Sequence, residues 1–124
     1  MPNFVFLASL NLLLAVTLGA FGAHGLKARV GADALGWWQT AVQYHFWHAL
    51  GLLGIGLLLL AQPALVGVRS AGWLLQAGIV IFCGTLYAMT LGAPRWFGAI
   101  TPIGGLLFIA GWALLAWASW RLGA

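Results

Sequence analysis

The chain has 124 residues, 64% of them hydrophobic and 5% charged, where a soluble domain carries about 25% charged residues. With a mean hydropathy of +1.05, it cannot cover its apolar surface as a soluble globule and belongs in a membrane. The net charge of +4 comes from Lys27, Arg29, Arg69, Arg95 and Arg121 against Asp33; these bases are scattered between apolar runs and form no stripe, which excludes a nucleic-acid face.

Residues 1–23, 34–68, 70–94 and 96–120 carry no formally charged side chain. About 20 apolar residues cross a bilayer as a helix, and helices satisfy their own backbone polar groups in lipid. The pattern predicts an all-α membrane four-helix bundle, a single domain over residues 1–124, with spans near 3–23, 38–61, 70–92 and 98–120. The alternation of a membrane barrel strand is absent. The first apolar run lacks the positive n-region of a signal peptide and is longer than the usual h-region, so it reads as a span.

Asp33, in the first connection, reads as the N-cap of the helix entering the second span. The third connection is short, Gly92-Ala93-Pro94-Arg95, and Pro94 and Pro102 bracket a helix start. Trp37, Trp38, Trp47, Trp73, Trp96, Trp117 and Trp120 lie near predicted span ends as interfacial anchors. Trp112 falls deeper, between helices. Cys83, the single cysteine, reads as a small buried apolar side chain.

An even number of spans puts both termini on one side and the 1–2 and 3–4 connections on the other. Lys27, Arg29 and Arg95 on the connection side outnumber Arg69 and Arg121, which orients those connections to the cytoplasm. Ala15, Gly19 and Ala23 form a small-xxx-small face on the first span, and Gly51, Gly54, Gly56, Gly104, Gly105 and Gly111 offer similar close approaches.

The same parity gathers polar residues at one end: His24, Gln39, Thr40, Gln43, Tyr44, His45, His48, Thr90, Arg95 and Thr101. The opposite end has Asn3, Gln62, Arg69, Gln76 and Arg121, spread without clustering. His48 falls deep enough along the second span to point into the bundle. Asn11, in the middle of the first span, needs a partner on another helix. Ionisable groups within spans mark functional sites by default. Three readings fit them. His24, His45 and His48 could hold a metal or haem, since imidazole suits iron, copper and zinc. A small-molecule pocket, quinone- or lipid-like, would use His24, Gln39, Gln43, Tyr44, His48, Arg95 and Thr101, with Asp33 pairing with a base or with His24. The third reading is structural, with histidines satisfying carbonyls and fixing helix ends, and the residues favour it. No Gly-x-Ser-x-Gly elbow, phosphate-binding glycine loop or carboxylate pair is present, which excludes the usual hydrolase, nucleotide and glycosidase sites.

Three ordered stretches carry a resemblance: Leu18-Gly19-Ala20-Phe21-Gly22-Ala23-His24-Gly25-Leu26, Trp38-Gln39-Thr40-Ala41-Val42-Gln43-Tyr44 followed by His48-Ala49-Leu50, and Ile100-Thr101-Pro102-Ile103-Gly104-Gly105 followed by Gly111-Trp112. The chain resembles the YgdD-like family of small inner-membrane proteins, which has eukaryotic membrane relatives. The resemblance implies a compact four-span protein and carries no settled activity with it. Its motifs weight His24 and His48 above His45. The resulting expectation is a multi-pass protein of the bacterial inner membrane. It acts as an accessory, assembly or interaction subunit of a larger membrane complex, or self-associates through its Gly and Ala faces. The alternative is a binding protein for haem, a metal or a small hydrophobic ligand at the face carrying His24 and His48.

Overall fold

The computed structural model describes residues 3–123, and residues 1, 2 and 124 lie outside that range. Four helices are long and apolar enough to cross a membrane: α1 Phe4–Leu26, α2 Ala32–Ala61, α3 Val68–Thr90 and α4 Arg95–Trp120. No strand occurs among the described residues. The predicted all-α bundle is the observed fold.

Each end has a local cause. Asn3 caps α1: its Oδ1 accepts from the Val5 and Phe6 amides at 2.9 and 3.3 Å. α2 is 30 residues long, roughly 45 Å against a hydrocarbon thickness of about 30 Å, so it projects beyond the bilayer. It starts six residues before the predicted Trp38, at Ala32, after an extended Gly31. Asp33 is therefore in the first turn and not the N-cap, where its carboxylate faces the positive end of the helix dipole. α3 closes with paired bonds, Ala93 N–H to Ala88 O at 2.9 Å and Gly92 N–H to Met89 O at 3.2 Å. Gly92 takes φ +113° there, a left-handed turn that favours glycine. α4 begins as a 3₁₀ turn, Arg95–Ala99, then runs as an α-helix with Pro102 in its first turn.

Neighbours run antiparallel, and α1 packs on α2, α2 on α3 and α3 on α4. The α3–α4 seam interlocks. Phe108 fills the notch over Gly78, where an added Cβ would lie 2.5 Å from its ring, and Phe82 fills the notch over Gly104. Leu52, Ile55, Leu75, Val68 and Cys83 form the sealed centre. Between α1 and α2, Gly19 lies on Val42 and Gly56 on Val5, a register that sets the midpoints of the two helices, Ala15 and about Phe46, level with each other. At the end holding the 1–2 connection, the buried Trp38 indole covers Gly22 and donates Nε1–H to the Leu18 carbonyl at 2.8 Å.

Candidate functional site

One backbone carbonyl sets the direction of a hydrogen-bond chain through the middle of the bundle. The Leu7 carbonyl can only accept, so the Asn11 atom 2.9 Å from it is the amide nitrogen Nδ2. Nδ2 also lies 2.7 Å from Gln76, which must present its acceptor Oε1. Asn11 Oδ1 is then left facing His45 Nε2 at 3.0 Å, so Nε2 carries the proton. In the neutral imidazole Nδ1 is the acceptor, and the Tyr87 hydroxyl donates to it at 3.0 Å. α1, α2 and α3 are thereby tied together by Asn11, His45, Gln76 and Tyr87. No buried side-chain nitrogen or oxygen among the described residues lacks a partner.

The chain floors a groove of about 280 Å³ between α1 and α3, lined by Asn11, His45, Gln76, Val80, Cys83 and Tyr87 among others. α1 and α3 touch where Phe4 meets Trp73 edge-on at 5.2 Å and Gly72 beneath it. They are bridged by polar side chains at Asn11 and Gln76, and open further along. A π turn at Ile79–Cys83 interrupts α3 within the groove wall; single π turns inside α-helices are frequent at functional sites.

The residues singled out by the sequence are distributed over the molecule. His24 is exposed in a second π turn, Gly22–Leu26, at the end of α1. It lies roughly 15 Å or more along α1 from Asn11, the residue His45 touches, so His24 and His45 share no site. His48 is buried near mid-height: its Nδ1–H donates to the Tyr44 carbonyl at 2.8 Å, and its ring stacks on Phe108 at 3.6 Å and 13°. Tyr44 belongs to the same aromatic group, 4.5 Å from Phe82. Gln39 and Gln43 are exposed in a separate cleft of about 420 Å³ between α1 and α2, beside Gly19, Gly22 and Ala23. Asp33 and Arg95 line a third cleft, at the connection end, with the Arg95 guanidinium 5.6 Å over the Trp37 ring. Thr101 joins α4 to α3 through its hydroxyl contact with Thr85 at 2.6 Å. No group of three or more metal-ligating side chains forms among the described residues.

His48 is in the middle of the bundle, at the depth its place in the predicted span implies, and His45 lies beside it near the midpoint of α2 rather than at one polar end. Gln76, counted with the scattered opposite end, and Tyr87, left out altogether, complete the network. A usable signal was in the sequence. Spans one and three run in the same direction, and Asn11 and Gln76 fall about eight and six residues from the predicted starts near 3 and 70, which sets them within about 3 Å of equal depth.

Comparison with known proteins places the chain in a family. Residues 18–105 match the model described as Protein of unknown function (DUF423). The chain is 45% identical to the UPF0382 membrane protein SSP2132 of Staphylococcus saprophyticus, over 98% of this chain and 100% of that one. It is 46% identical to the UPF0382 membrane protein YwdK of Bacillus subtilis, over 93% of this chain and 94% of that one. It is 48% identical to the UPF0382 membrane protein SERP0230 of Staphylococcus epidermidis, over 93% of each. No solved structure matches. Matched over nearly its whole length to relatives named as membrane proteins, and with four apolar helices of its own, the chain is a membrane protein of the DUF423 family.

Proposed function

We propose that the chain is an accessory subunit of the bacterial plasma (inner) membrane, and that it docks a transmembrane helix of a larger complex in the cleft between α1 and α2. Gln43 carries this reading. It is exposed on the outer face of α2, roughly 5 Å from mid-height and so inside a hydrocarbon layer about 30 Å thick. An amide facing lipid is costly, and membrane helices relieve that cost by hydrogen bonding across an interface of small residues. Gly19, Gly22 and Ala23 line the same cleft, with Gln39 one turn away. A partner helix seated there approaches the α1 backbone closely and takes hydrogen bonds from both glutamines. The excess of Lys27, Arg29 and Arg95 over Arg69 and Arg121 supports a cytoplasmic side for the 1–2 and 3–4 connections.

The test is site-specific photo-crosslinking in native membranes. Benzoyl-phenylalanine at position 43 gives a discrete adduct with another membrane protein, and the same probe at Leu13, which is 63% exposed, gives none. Gly19→Leu removes the adduct by filling the cleft. A homodimeric adduct moves the reading to self-association, and equal labelling at positions 13 and 43 refutes docking at this cleft.

A further inference from the structure

We propose that the groove between α1 and α3 binds an apolar molecule bearing a carbonyl oxygen, received by the amide Nε2–H of Gln76. The site is independent of helix docking between α1 and α2. The directed chain decides what the groove offers. Asn11 uses both Nδ2 hydrogens, on Leu7 O and Gln76 Oε1, and both nitrogens of His45 are engaged. Gln76 is half-buried and lines the groove. Among the described residues it enters the network through Oε1 alone, which leaves its two amide hydrogens as the donors at the groove floor. A donor in a low-dielectric layer selects an acceptor, and the acceptor that a lipid-soluble molecule commonly carries is a carbonyl. The walls beside it are apolar, from Leu14, Leu18, Ile79 and Val80. A volume of about 280 Å³ lies just under the range of about 300–1,000 Å³ for pockets that enclose a whole drug-sized ligand. It suits a ring or an ester head whose tail stays in the bilayer. The Asn11–His45–Tyr87 chain holds Gln76 Oε1 in place, so the free hydrogens have a fixed aim before any ligand arrives.

Two sources supply this chemistry: the ring carbonyl of an isoprenoid quinone and the ester carbonyl of an acyl lipid. Radiolabelled decylbenzoquinone and methyl palmitate are titrated separately against the full chain in dodecyl maltoside, a detergent with no carbonyl. Saturable binding near one molecule per chain is expected for one or both, and which one binds identifies the source. Gln76→Leu weakens that binding by about fivefold, the worth of one hydrogen bond. Gly84→Phe abolishes it: Gly84 lines the groove and has open space where a side chain would begin, so this variant blocks the site even if Gln76→Leu fails to fold. The proposal is overturned if neither probe saturates, if hexadecane displaces them as well as their unlabelled forms do, or if folded Gly84→Phe binds as the parent does.

Discussion

Replacing Asn11 with leucine breaks the chain at its branching point. The side chain keeps its bulk, but His45 Nε2–H loses its acceptor and Gln76 Oε1 loses its donor, where the parent has bonds of 3.0 and 2.7 Å. Hydrogen bonds between helices within a membrane average about 0.6 kcal/mol, and a buried donor left without a partner costs about 1–3 kcal/mol. His45 is 4% exposed, so water does not replace the lost acceptor, and the substitution costs about 2 kcal/mol, roughly a thirtyfold change in the folding equilibrium. Gln76→Leu removes one bond at the half-buried end, and Asn11 Nδ2 keeps the Leu7 carbonyl. It costs about 0.6 kcal/mol. The triple variant Asn11→Leu, His45→Phe, Tyr87→Phe removes donors and acceptors together and recovers most of the loss, because an apolar replacement on both sides of a bond is nearly neutral. Reversible unfolding of the purified protein in mixed micelles measures all three. Equal losses for Asn11→Leu and Gln76→Leu, or a triple variant as unstable as the sum of its parts, refute a directed chain.

Three further outcomes follow from the packing. Gly104→Ala places a Cβ 2.7 Å from Phe82 Cβ and closer still to its backbone; backbone does not yield as a flexible side chain does, so the loss is about 1–3 kcal/mol, read as a lowered midpoint in the same unfolding assay. Trp38→Phe keeps a ring over Gly22 but deletes the bond to the Leu18 carbonyl, costing about 1 kcal/mol; an unchanged midpoint contradicts a structural role for the indole N–H. Gly92→Ala forces a Cβ into φ +113° and costs about 1–2 kcal/mol, while Gly92→Asn costs less because asparagine tolerates left-handed backbone; thermal unfolding of the two variants side by side checks the order.

The four spans were legible because hydrophobic length alone identifies a membrane helix, and the first, third and fourth began within a few residues of their predicted starts. The helix start differs by two residues from the one an Asp33 cap implies, because Asp33 suits a first turn as well as a cap, and α2 runs six residues beyond the predicted span start because Gly36 and Trp37 carry no stop signal. The depth of His48 was read correctly, while His45, grouped with the polar end, is buried near the midpoint of α2. Asn11 was correctly read as needing a partner on another helix. Its partners, Gln76 and His45, depend on the rotation of three helices about their axes as well as on height, and hydropathy gives an approximate height but no rotation. Tyr87 gave no signal because a tyrosine near a span end reads equally as an interfacial anchor.

The bond between Asn11 and Gln76 joins residues 65 positions apart, and synthesis makes the first long before the second. At about 5–20 residues per second, roughly 3–13 seconds separate them. During that interval α1 enters the bilayer with a mid-span amide that can meet His45, 34 residues on, but not yet Gln76. Of that amide's two helix-to-helix bonds, the one to His45 uses residues made before α3, and the one to Gln76 waits for α3 to be made. A chain cut between α2 and α3 keeps the residues of the Asn11–His45 bond and lacks both Gln76 and Tyr87, so the network is a property of three helices and not of any pair.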